Sequence, residues 1–129
     1  NEYLSWLDKW RENISSGLST WAEMSDVSKS RSDCHAWGSS PNIEFFRTIL
    51  GIDSDAPGFN TVRIQPHLGS LKNIQGSIPH PSGELSTQYI YQEGQWNIQI
   101  KLPSATKGKL IWKGKQIPLN SGLNKFTLQ

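Results

Sequence analysis

Apolar side chains recur along this chain with two different periods, and the change comes near residue 50. Before it, Tyr3, Leu4, Trp6, Leu7, Trp10 and Ile14 follow three- and four-residue intervals, while Asp8, Lys9, Arg11 and Glu12 fill the opposite face. That spacing predicts an amphipathic helix over residues 2–15, with Gly17 as its stop. A second helix is predicted over residues 41–50. Ser40 suits its cap and Pro41 its first position, Ile43, Phe46, Ile49 and Leu50 form its stripe, and Gly51 suits a left-handed end.

Beyond Gly51 the period is two. Leu85, Thr87, Tyr89 and Tyr91 alternate with polar or outward positions, and so do Trp96, Ile98, Ile100 and Leu102. Gln92-Glu93-Gly94-Gln95 joins these runs as a hairpin loop. Residues 62–65, 110–112, 116–119 and 125–128 supply shorter strands. The expected class is therefore α+β, two helices followed by antiparallel strands only, in a β-sandwich or curled sheet. A β part this small makes a modest core and is expected to lean on the helices.

Composition sharpens the division. All seven Pro lie after position 40, and nine of the eleven Gly lie at 51 or later. The net charge of +2 hides an asymmetry. Residues 1–60 carry five Lys/Arg against nine Asp/Glu, giving −4, and residues 61–129 carry eight against two, giving +6. Opposite signs suggest two units that attract each other. The basic half lacks the aromatic–basic pattern of a nucleic-acid reader, and Lys107, Lys109, Lys113 and Lys115 read as solvated edge lysines. No apolar run approaches a membrane span of about 20 residues, so neither nucleic acid nor membrane is an expected partner. The chain opens at Asn1 without an initiator Met and runs directly into helical sequence, as expected of a fragment or a processed product. The lone Cys34 cannot form an internal disulfide.

The candidate chemistry lies between the helices. Residues 18–39 have no clean period, and a polar connection of that length inside a compact chain is usually functional or disordered. The aromatic and imidazole side chains at Trp21, His35 and Trp37, with Cys34, argue against disorder. Glu23 places a carboxylate beside these groups, and carboxylate, imidazole and indole faces are the equipment of a sugar-hydrolysing site. Thr20-x-x-Glu23 also fits a helix-opening capping box, and a lone His35 also serves as a structural hydrogen-bonder. Asp33, Cys34 and His35 lack zinc-type spacing, so no metal is expected. His67 and His80, each near Pro, read as loop residues. No phosphate loop and no Gly-x-Ser-x-Gly elbow is present.

Several segments together resemble the C-terminal end of bacterial α-L-rhamnosidases. They are Ser19-Thr20-Trp21-Ala22-Glu23, Arg31-Ser32-Asp33-Cys34-His35-Ala36-Trp37, Thr48-Ile49-Leu50-Gly51-Ile52 and Ala56-Pro57-Gly58-Phe59-Asn60-Thr61-Val62-Arg63-Ile64-Gln65-Pro66-His67-Leu68-Gly69. The similarity continues through Gly76-Ser77-Ile78-Pro79-His80-Pro81-Ser82-Gly83 and is loose beyond about residue 85. The resemblance implies two helices from the end of an α/α-barrel over residues 1–55, then a C-terminal β-sandwich over 56–129. It implies a glycosidase that releases terminal α-L-rhamnose with inversion, acting on rhamnose-containing oligosaccharides or glycosides without a cofactor. Glu23 matches the general base and His35 a sugar-contacting imidazole. Trp37, with Trp21, forms the pocket wall. Many members carry an aromatic directly before the base, where this chain has Ala22 and places Trp21 one step earlier. The general acid and the rest of the barrel fall outside this sequence. The chain alone is therefore expected to be inactive, with an apolar face on Trp6, Trp10 and Phe46 exposed. Two other readings stay open: a non-catalytic carbohydrate-binding or structural β-module, and an inverting α/α-barrel glycosidase acting on another sugar.

Overall fold

The computed structural model describes residues 2–129, which form two compact units meeting at Glu44/Phe45. In the first unit the predicted 2–15 helix is two pieces, α1 (Glu2–Trp6) and α2 (Asp8–Ser15), interrupted at Leu7. It ends where expected. Gly17 takes φ +78°, its N–H donates to the Ile14 carbonyl, and the Leu18 N–H donates to the Asn13 carbonyl at 2.9 Å. That pair of bonds is a Schellman closure, which needs a residue comfortable in the left-handed region. The Tyr3 hydroxyl donates to the Pro41 carbonyl at 2.8 Å, tying α1 to the start of α3 (Pro41–Glu44).

The second predicted helix is α-helical only over Pro41–Glu44, and Phe45–Ile49 is wound as a π-helix. Ser40 already has helical dihedrals, so it is not the extended cap expected. The wider winding re-phases the apolar stripe. Ile43 is exposed, while Ile49 and Leu50 are buried and Phe46 packs against the β core. Phe46 therefore does not join the expected exposed apolar face. Trp10 is half-buried, and the strongly exposed apolar side chains of α1 and α2 are Trp6 (58%) and Ile14 (77%).

The second unit holds two four-stranded sheets around one core. One has the order β1 (Ile52–Ser54), β2 (Thr61–Ile64), β6 (Lys107–Trp112), β7 (Lys115–Leu119). The other has the order β3 (Asn73–His80), β4 (Gly83–Gln92), β5 (Gln95–Leu102), β8 (Gly122–Leu128). Val62, Ile64, Leu110 and Leu119 from the first sheet meet Leu85, Tyr89, Ile98, Ile100 and Leu102 from the second. Leu50 from the helix end belongs to the same cluster.

The expectation of antiparallel strands only is corrected at one place: β2 pairs with β6 in parallel, Val62 opposite Gly108 and Ile64 opposite Leu110. The chain leaves the first sheet after β2, builds three strands of the other, and re-enters running in the same direction. Gly108 permits the approach, because a Cβ there would strike the Val62 carbonyl oxygen. His80 is also not a loop residue. It ends β3, accepts from the Ser82 N–H at Nδ1 (3.0 Å), and its Nε2 lies 2.9 Å from the Phe59 carbonyl oxygen. With Nδ1 accepting, Nε2 carries the proton and donates.

Gly51 joins helix to sheet. It takes φ +75°, and a Cβ there would overlap the Gln65 backbone. Its carbonyl accepts from the Gln65 N–H at 2.8 Å, and the His67 N–H reaches the Thr48 and Ile49 carbonyls at 3.2 Å. The carbonyls at the end of the helix are thus partly satisfied by the chain leaving β2. The Tyr89 hydroxyl, fully buried in the core, donates to the Leu50 carbonyl at 2.8 Å. Burial pushes its ionisation well above the ordinary tyrosine range.

Candidate functional site

The irregular segment between α2 and α3 folds back on itself. The His35 N–H donates to the Trp21 carbonyl at 2.8 Å, the Glu23 N–H donates to the Ser32 carbonyl at 2.9 Å, and the Thr20 hydroxyl donates to the Asp33 carbonyl. These links place residues 20–23 alongside residues 32–35. Thr20 therefore caps no helix, and no helix opens at Glu23, so the capping-box reading fails. The next helical turn, Val27–Lys29, is capped by the Asp26 side chain instead.

Ala22 is fully buried, and Gly38 lies against it: a Cβ on Gly38 would meet the Ala22 carbonyl oxygen. The turn Ala36–Ser39 can approach this closely only because residue 38 has no Cβ.

Glu23, Met24, Arg31, His35, Ala36 and Trp37 line an open cleft of about 550 Å³. The Trp37 side chain is 85% exposed, and its ring meets that of His35 edge-to-face, centroids 6.1 Å apart. Arg31 Nε donates to Glu23 Oε2 at 3.2 Å, and Nη2 donates to Oε1. The Glu23 side chain is 17% exposed and that of Arg31 86%. The hydrogen bonds from Arg31, aided by its charge and by the nearby His35, hold the Glu23 carboxyl below the usual range. Glu23 is therefore ionised at neutral pH and able to accept a proton.

Of the residues singled out from sequence, Glu23, His35 and Trp37 share this cleft and Trp21 does not. Trp21 lines a separate hollow with Trp10, Asn13, Ile14, Leu18, Ser19 and Thr20. The sequence reading gave no role to Arg31. Its signal was its place at the head of the Arg31–Trp37 motif, but only the fold-back puts it beside a carboxylate eight positions earlier. Among the described residues no group of His, Cys, Asp and Glu is arranged to hold a metal ion.

Comparison with known proteins gives the chain its relatives. Residues 51–122 match the family described as the bacterial α-L-rhamnosidase C-terminal domain. Over 60 residues, 46% of its length, the chain is 33% identical to an α-L-rhamnosidase of Alteromonas sp. (strain LOR), covering 6% of that protein. Its fold resembles the Streptomyces avermitilis α-L-rhamnosidase solved with L-rhamnose (TM-score 0.77, 19% identity), with 93% of this chain matching 15% of that one. It equally resembles the Aspergillus terreus α-L-rhamnosidase (TM-score 0.77, 17% identity), with 93% of this chain matching 16% of that one. The structural likeness is one of fold, and the chain spans a small part of each of these proteins. The matched segment runs from the Gly51 junction to the start of β8 and accounts for more than half of the sequence, so this chain belongs to the bacterial α-L-rhamnosidase C-terminal domain family.

Proposed function

We propose that this chain is the C-terminal part of an inverting α-L-rhamnosidase, in which its helices complete an α/α-barrel and Glu23 serves as the general base. The observation that carries the reading is the meeting of Glu23, His35 and Trp37 on one open cleft. In an inverting hydrolase one carboxylic acid protonates the leaving oxygen. A carboxylate about 6.5–9.5 Å away takes a proton from the attacking water. Glu23 is the carboxylate that lines the cleft, and its depressed pKa keeps it ionised, the form that can accept a proton and has none to donate. The exposed Trp37 indole offers a flat apolar surface to a pyranose, and the His35 imidazole offers hydrogen bonds to its hydroxyls. The acid comes from the remainder of the parent barrel. The β unit contributes a scaffold, and the family segment it contains includes no cleft residue.

The test is Glu23→Gln in the parent enzyme, assayed on an aryl α-L-rhamnoside beside this chain alone. Gln keeps the size of the side chain and much of its hydrogen bonding but cannot take the proton. The expected result is a kcat loss of about 10²–10⁴-fold with an intact fold, and no turnover by this chain. Near-normal kcat in the Gln variant would make Glu23 structural.

A further inference from the structure

Resting on the general-base reading, we propose that Arg31 is a positioning residue that fixes the plane and rotamer of the Glu23 carboxylate. Two nitrogens of one guanidinium meet the two oxygens of one carboxylate. A two-point contact of this kind sets the orientation of the carboxylate as well as its charge, because the fork of the guanidinium matches the geometry of the oxygens. The main chains are already joined by the Glu23 N–H to Ser32 carbonyl bond, so little further ordering is needed for the side chains to meet.

The exposures argue that the pair has a use other than stability. Arg31 covers the carboxylate from the solvent side, 86% exposed against 17% for Glu23. An ion pair with so exposed a partner contributes little to folding. It does remove the rotational freedom of a glutamate that would otherwise sample several rotamers at the mouth of an open cleft. Effective proton transfer from water requires the accepting oxygen to stay within hydrogen-bond reach, and a displacement of about 1 Å costs on the order of 10²-fold in rate. Among the described residues lining the cleft, Arg31 and His35 are the titratable groups beside Glu23. His35 lies on the folded-back segment and makes no hydrogen bond to the carboxylate, so the geometric constraint falls to Arg31.

The test compares Arg31→Gln and Arg31→Lys with the wild type in the parent enzyme, reading kcat and KM across pH. Arg31→Gln should lower kcat about 10–100-fold and leave KM within about twofold. The acid limb of the profile should move to higher pH, because a base that loses its cation holds its proton more tightly. Arg31→Lys should return the acid limb towards its wild-type position, since the charge is restored. It should recover only part of kcat, since one point of contact does not fix the plane. A rise in KM with kcat intact overturns the proposal in favour of a sugar contact. Equal losses in both variants with an unmoved acid limb overturn it in favour of a structural role. A separate arm uses this chain alone: carboxyl carbon NMR should show the Glu23 titration midpoint rising in Arg31→Gln, and no rise overturns the proposed contact. The two readings fail differently. A fully active Glu23→Gln parent removes the general-base reading, whereas an unmoved Glu23 midpoint removes only the role of Arg31.

Discussion

Glu23 and Asp26 are each held ionised by a cation within the same folded-back loop. Glu23 is held by hydrogen bonds from Arg31, and Asp26 first by Lys29 and then by the Ser28 hydroxyl. A carboxyl whose pKa is lower in the folded loop than in the open chain stabilises the loop above its ordinary pKa. That contribution disappears as pH falls through the lowered value. The loop should therefore loosen slightly on the acid side, below about pH 4, because each of these exposed pairs contributes little. Amide exchange is the measurement: protection of the Glu23 and His35 N–H groups should fall there while that of the β4 and β5 amides persists. The residue types of this site were readable in sequence because carboxylate, imidazole and indole stand out in polar surroundings. Their partnerships were not. Nothing in the spacing of Glu23 and Arg31 announces a contact, which arises only when backbone bonds close the intervening residues into a fold-back. Trp21 shows the same limit from the other side: it stands two positions before Glu23, yet it lines a separate hollow with Trp10, Asn13 and Ile14.

At the level of elements, the hairpin between β4 and β5 turns through Glu93 (φ +51°) and Gly94 (φ +81°), with Gln92 paired to Gln95. Two consecutive positive φ values make this a type I′ turn, whose first position favours Asn over Glu. The β6–β7 turn repeats it at Lys113 (φ +47°) and Gly114 (φ +81°). Glu93→Asn should stabilise the β unit by about 0.5–1 kcal/mol by relieving a left-handed non-glycine residue. Thermal melting checks this, and an unchanged or lower Tm would contradict the turn assignment. These hairpins were legible because alternation and a Gly-containing loop are local signals. Strands β1 and β3 were not. β1 is three residues long, and β3 contains Gly76 and Pro79, which suppress the strand pattern. Pro79 is tolerated because β3 is an edge strand, and Gly76 because a Cβ would lie 2.5 Å from Leu50 Cδ1. The π-helix escaped for a related reason: Ile43, Phe46, Ile49 and Leu50 fit an α stripe well, and the wider winding goes with the packing of Phe46 and Leu50 against the β core, which local spacing does not reveal.

On the scale of the whole molecule, the change of period near Gly51 marks where strands begin, but not where the β unit begins. That unit starts at Phe45, because Phe46, Ile49 and Leu50 are packed or buried with it. This has a consequence for anyone who wishes to transplant the module. A polypeptide cut at Gly51, where the family segment starts, loses Leu50 from the centre of its core, and the Tyr89 hydroxyl loses its acceptor. Deleting a buried Leu side chain alone costs about 2–5 kcal/mol, and a buried hydroxyl left unpaired costs about 1–3 kcal/mol more. Residues 45–129 should therefore melt cooperatively as an excised piece, while residues 51–129 should bind a hydrophobic dye and unfold without a sharp transition. Matching melts for the two pieces would contradict this. In recombination, natural or engineered, the viable breakpoint falls inside a helix rather than at the glycine that follows it, so the last helical turn must travel with the sheets.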